Sequence, residues 1–259
     1  MIKVTFPRVL HAELGKLRAL RSTWVLFGTI AILTVALAGT IGWNANRLPG
    51  ASNTPAELIS RAFLGIDVFS LLLGAFGIMM VTGEYSSGLI RSTFAAVPRR
   101  AAVLGAKTAA LAVLAVPVML LVGVVSLVVS QSFAPAAARL GAGDPGVLRA
   151  IVGAGAAPVA LALIGLGLGA LLRHTATALT VYVLLILVAP AVLSQTLPAS
   201  VGDHVLKYIP VAAAQALYAV RDGGNPFTML NPGPAALVTA GWVLLALAAG
   251  GIVLWRRDP

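Results

Sequence analysis

Gly83-Glu84-Tyr85-Ser86-Ser87-Gly88-Leu89-Ile90-Arg91-Ser92-Thr93-Phe94-Ala95-Ala96-Val97-Pro98-Arg99-Arg100 separates two long apolar runs and carries four charged side chains in a chain that is only 10% charged. Its spacing predicts a short amphipathic helix. Ser86 or Ser87 caps the start, accepting from backbone N–H groups left free in a first turn. Leu89, Ile90, Thr93, Phe94 and Val97 share one face, and Pro98 stops the helix before the Arg99-Arg100 pair. About eleven residues are too few for a bilayer, which takes ~20. The runs on either side are therefore the spans, and the segment between them lies at a membrane face.

Outward from this segment the same alternation repeats. The second span covers 62–81 and the third 101–131, the latter long for a bilayer and carrying Lys107 near its inner end and Pro117 midway, so tilt or a kink is expected. The first span, 24–43, has a tryptophan at each end, where aromatic belts sit. The fourth is 149–172, the fifth 176–193 and the sixth 235–254. Gly165 and Gly169 in the fourth are small residues at four-residue spacing, which lets another helix approach closely. Ahead of the first span, residues 7–22 place Leu10, Leu14, Leu17 and Leu20 on one stripe beside Arg8, Lys16, Arg18 and Arg21, the pattern of a helix lying in the membrane interface or of a plain basic flank. The expected fold is all-α: one polytopic membrane domain over 1–259, with six transmembrane helices, an N-terminal interfacial amphipathic helix and a short helix within 83–100.

Composition agrees with a membrane class. The 259 residues are 59% hydrophobic, and the mean hydropathy of +0.98 lies far from soluble proteins, which are roughly 25% charged. The net charge of +10 is carried by residues at the ends of apolar runs, so it reports membrane orientation and no nucleic-acid partner is expected. With the chain starting inside, Lys3, Arg8, Lys16, Arg18, Arg21, Arg91, Arg99, Arg100, Lys107, Arg173, Arg256 and Arg257 face the cytoplasm, and Arg47, Arg61, Arg139, Arg149, Lys207 and Arg221 face out. Twelve against six selects both termini and the 83–100 segment as cytoplasmic. There is no cysteine, and His11, His174 and His204 are too scattered to suggest a metal site. Asp67 is a carboxylate within a span, expected to snorkel, to pair with Arg61 or to face the bundle interior.

The 84–100 segment resembles the cytoplasmic stretch after the second membrane helix of type-2 ABC transporter permeases. The resemblance implies a coupling helix that docks on a separate cytoplasmic ABC ATPase subunit, with Glu84, Tyr85, Ser87, Gly88 and Arg91 as coupling residues and Arg99 and Arg100 as a basic boundary. It also implies a second permease chain, identical or different, in the cell membrane. The 7–22 helix resembles that family's interfacial connecting helix. Tyr208-Ile209-Pro210-Val211-Ala212-Ala213-Ala214-Gln215-Ala216-Leu217 resembles its short helices that re-enter the outer leaflet. Residues 205–220 read independently as one or two short helices broken at Pro210, or as an ordinary external loop.

No Walker motif occurs, and Gly105-Ala106-Lys107-Thr108 lacks the glycine pattern of a phosphate loop, so the chain is expected to be no enzyme and to hold no cofactor, ATP and Mg belonging to the partner ATPase. A transport subunit moving a hydrophobic or amphipathic substrate is one reading of the whole. A non-transporting membrane scaffold recruiting a partner through the same helix is the other. An ion-coupled secondary transporter requires ionisable residues deep in several spans, where only Asp67 approaches that description.

Overall fold

The computed structural model describes residues 5–45, 54–136, 139–141, 143–219 and 229–256; Lys3, Arg47, Arg221 and Arg257 lie outside them. Among the described residues the regular elements are helical and there is no strand. The long ones are α2 (Arg21–Ala45), α3 (Pro55–Ser86), α5 (Arg100–Ser132), α6 (Val147–Leu172), a helix from Thr175 to Thr196 and α11 (Pro232–Arg256), and these six are long and apolar enough to cross a membrane, as in a multi-pass membrane protein. Two short helices, α1 (Phe6–Ala19) and α4 (Leu89–Ala96), flank them.

Each long helix exceeds its predicted span, because the apolar run marks only what lipid requires while backbone hydrogen bonding continues into polar flanks. At α3 the extension is largest. Thr54 Oγ1 accepts from Glu57 N at 3.4 Å to start it, and the other end runs through Glu84 and Tyr85 to Ser86. The Thr175–Thr196 helix divides into α7 (Thr175–Val183), a π turn (Leu184–Val188) and α8 (Ala189–Thr196). Pro190 has no N–H to give the ladder, and a wider turn just before it absorbs the missing bond.

Helix α6 is the centre of the bundle: 72% of its most apolar stretch is buried, against 22% for α11. Glycines bring its neighbours close, which matters where lipid gives helices no hydrophobic reason to associate. A Cβ added at Gly165 would lie 2.3 Å from the Gly74 carbonyl oxygen of α3, and one at Gly169 would lie 2.8 Å from the Ile78 carbonyl oxygen. On the opposite side a Cβ added at Gly167 would lie 2.5 Å from the Ala246 carbonyl carbon of α11.

Between α8 and α11 the chain forms α9 (Ala199–Val205), a 3₁₀ turn (Leu206–Tyr208) and α10 (Pro210–Gln215), starting earlier than the predicted 205–220, with Pro210 opening α10. This hairpin is fixed to the bundle by polar contacts. Arg149 of α6 donates to Leu217 O at 2.9 Å and Ala219 O at 3.0 Å, and Trp242 Nε1 of α11 donates to Tyr208 O at 2.9 Å. Asp67 does not snorkel or pair with Arg61. Arg61 bonds Glu57 at 3.1 Å one turn away, while Asp67 Oδ1 accepts from Gln215 Nε2 at 3.0 Å and from the Tyr218 hydroxyl. Residues 61 and 67 are six apart, which puts them on different faces of a 3.6-residue helix.

Candidate functional site

The serines of the 83–100 segment do not cap a helix start. Ser86 is the last residue of α3, and Ser86 Oγ and Ser87 Oγ both donate back to Gly83 O, at 3.1 and 2.7 Å. A serine at a helix end bonds the preceding turn as readily as it caps the next one. Gly88 then takes φ +73°, the left-handed conformation that glycine adopts without a Cβ penalty, and serves as the N-cap of α4 with no side-chain bond. The segment is thus one long helix, a glycine joint and a separate eight-residue helix.

Along α4, Ile90 is buried and Thr93, Phe94 and Val97 are half-buried, but Leu89, assigned by spacing to the same face, is 58% exposed. Ser87, Gly88, Arg91 and Arg99 are exposed as well. Glu84, Tyr85 and Arg100 are not. They point inward and tie the joint to the rest of the molecule.

Glu84 belongs to a ring of four alternating charges drawn from three helices. Lys16 Nζ of α1 lies 2.7 Å from Glu13 Oε1 and 2.8 Å from Glu84 Oε1; Lys107 Nζ of α5 lies 2.9 Å from Glu13 Oε2 and 2.6 Å from Glu84 Oε1. Glu13 and Lys107 are each 3% exposed, so the ring is an internal structure and no surface ion pair. Glu84 also sits at the C-terminal, negative end of the α3 dipole, which increases its need for cations. Burial opposes the Lys16 charge, but hydrogen bonds from its ammonium to Glu13 and Glu84 hold its pKa above the usual lysine value. Glu84 Oε2 is buried and accepts no hydrogen bond from the described residues.

Two further contacts extend the framework. The Arg173 guanidinium, in the turn after α6, stands 5.2 Å over the Tyr85 ring and donates to Val253 O at 2.8 Å. Arg100 lies 5.4 Å over the Phe94 ring of α4 and donates to Leu254 O at 2.8 Å. The last carbonyls of α11 lack helical donors, and these two arginines supply them from other elements. Thr175 Oγ1 at the start of α7 donates to Thr82 Oγ1 of α3 at 2.9 Å.

Glu13, Lys16 and Lys107 were absent from the sequence-derived site. Signals for two of them exist in the sequence. Glu13 interrupts the leucine stripe of α1, and Lys107 lies within an apolar span, where a charge requires an opposite one. Helix α1 accordingly turns Val9, Glu13 and Leu17 inward and packs on α5, while Leu20, the last residue of the predicted stripe, takes an extended backbone and is 52% exposed. Among the described residues no group of three His, Asp or Glu side chains is placed to hold a metal ion.

Comparison with known protein families finds no family model that matches this sequence, and no curated protein matches it.

Proposed function

We propose that this chain is the membrane-spanning subunit of an ATP-driven exporter of the type-2 ABC permease kind. It works with a separate cytoplasmic ATPase, which binds ATP and Mg, and with a second permease chain that completes the pathway. In this reading the protein lies in the cell membrane with both termini and α4 on the cytoplasmic side, and α1 rests at the membrane interface. The cargo is hydrophobic or amphipathic, since the helices are apolar with few charges at membrane depth.

The observation that carries the reading is the mechanical setting of α4. Its outer face offers Leu89, Arg91 and Ser92 to a partner, and its exposed joint at Gly88 is flanked by anchored residues, Glu84 and Tyr85 before it and Arg100 beyond α4. A displacement of α4 passes through Glu84 to α1 and α5, through Tyr85 and Arg173 to the α6–α7 turn, and through Arg100 to the end of α11. Closure of two ATPase subunits would thereby move the inner ends of several spans together and alternate access.

Arg91→Glu tests this. Arg91 is exposed, so thermal stability should stay within about ±0.5 kcal/mol of wild type. Like charges brought together at an interface cost several kcal/mol, and each ~1.4 kcal/mol is tenfold in affinity, so co-purified ATPase and its substrate-stimulated turnover should fall at least tenfold. Undiminished ATPase recovery and turnover would remove α4 as the docking element, for a transporter and for a scaffold alike. Orientation is checked separately in the cysteine-free background. A cysteine at exposed Ser92 or His174 should resist an impermeant thiol reagent in intact cells, and one at exposed Asp144 should react. Labelling at Ser92 from outside would overturn the placement of α4.

A further inference from the structure

We propose that the cleft beside Asp67 receives the ammonium head of a primary amine carried on an apolar body. Asp67 lies about three turns into α3 and about one and a half turns inside the apolar 62–81 run. Both of its hydrogen-bond donors, the Gln215 amide and the Tyr218 hydroxyl, are neutral, and both go to the same oxygen, Oδ1. Among the described residues no lysine, arginine or histidine forms an ion pair with it: Arg61 bonds Glu57, and Arg149 donates to the Leu217 and Ala219 carbonyls. A carboxylate held at this depth without a counter-charge is costly, and a bound cation relieves that cost.

The size and donor count of the cation follow from the cleft. It has room for a group about the size of one water molecule, which an –NH3⁺ head matches and a trimethylammonium head does not. A primary ammonium has three N–H donors. Residues lining the cleft offer enough acceptors for it: the Asp67 carboxylate, the Gln215 carbonyl oxygen left over when its Nε2 serves Asp67, the Tyr218 phenolic oxygen, and the Ser70 hydroxyl, whose proton goes to Asp67 O at 3.0 Å and leaves its lone pairs. Ile66, Pro158, Leu161 and Val211 supply apolar walls for the carbon next to the nitrogen. A calcium or magnesium ion would need about six oxygen ligands and more than one carboxylate, and an anion would meet the carboxylate directly. The occupant would touch α3, α6 and the α10 hairpin together, so its arrival could bias how the hairpin seats on the bundle.

That the amine is cargo rests on the exporter reading; that it binds does not. The test uses the purified full chain in detergent without any ATPase, with octylamine, octyltrimethylammonium and octanol as probes at pH 7. Octylamine should raise the melting temperature at concentrations where the other two do nothing. Asp67→Asn should weaken the octylamine effect at least tenfold, and Ser70→Ala should weaken it less. Equal shifts from all three probes, or an undiminished octylamine effect in Asp67→Asn, would overturn the site. So would a wild-type melting temperature that follows pH but ignores octylamine, which would make Asp67 a proton site. The head-group series needs only the wild-type chain, so the question is decided even if Asp67→Asn does not fold. Amine binding by a wild-type chain that recovers no ATPase under gentle detergent would sink the exporter reading alone.

Discussion

Lys107→Met should lower stability by about 3–5 kcal/mol, the cost of removing one partner from a buried ion pair. Methionine keeps most of the lysine volume, so the loss is electrostatic. Without the Lys107 ammonium, Glu13 and Glu84 are two carboxylates facing each other and sharing only Lys16, whose side chain is 44% exposed. Glu13 Oε2 would lose its donor, and Glu84 Oε1 the shorter of its two contacts. The measurement is the melting temperature of the detergent-purified protein together with protease susceptibility of the α1 and α4 segments. Both segments should loosen, because the ring is what ties α1 and the end of α3 to α5. Neutralising Glu13 as well, in Glu13→Gln with Lys107→Met, should recover part of the loss, since replacing a buried ion pair by neutral groups of similar volume is often neutral or better. A single variant that melts like wild type would mean the ring is hydrated and contributes no internal order.

The second large effect is expected at the α3–α6 crossing. Gly165→Leu with Gly169→Leu should cost about 1–3 kcal/mol at each position or more, and it should reduce the yield of any cross-linked dimer. At both positions the first obstacle is backbone, Gly74 O at 2.3 Å and Ile78 O at 2.8 Å, so no rotamer change relieves it and the helices must separate. Gly74 cannot yield easily, because a Cβ there would lie 1.9 Å from the buried Tyr182 hydroxyl on the other side. Gly28 and Gly241 are the comparison. Nothing lies within 4 Å of a Cβ added to either, so Gly28→Ala and Gly241→Ala should be neutral or gain up to ~1 kcal/mol of helix propensity. If the double leucine variant melts and cross-links like wild type, the glycine face is turned to lipid and the packing described above is wrong.

The membrane-length helices were legible because the requirement behind them is local. Every backbone polar group at bilayer depth must be bonded within its own segment, so a run of about 20 apolar residues already specifies a helix. Gly165 and Gly169 were legible as small residues, although nothing in their spacing named Gly74 and Ile78 as what they touch. The joint at 83–88 was harder. Serine and glycine are compatible with a helix start and with a helix end, and which one occurs depended on where the α3 ladder stopped.

Residue types and periods determined that the described residues are helical, that six membrane-length helices lie among them, and that a short amphipathic helix falls within 83–100 between two of them. Tertiary structure alone decided the partners. Glu13, Lys16, Glu84 and Lys107 come from three helices up to 94 positions apart, and Asp67 meets Tyr218 across 151. Such pairings depend on the rotation and depth at which whole helices pack, and local sequence does not encode these. The same physics that makes a charge at membrane depth costly then converts each pairing into a strong constraint, so that Glu84, read alone as a surface residue for a partner, is the inner brace of the joint that presents Arg91.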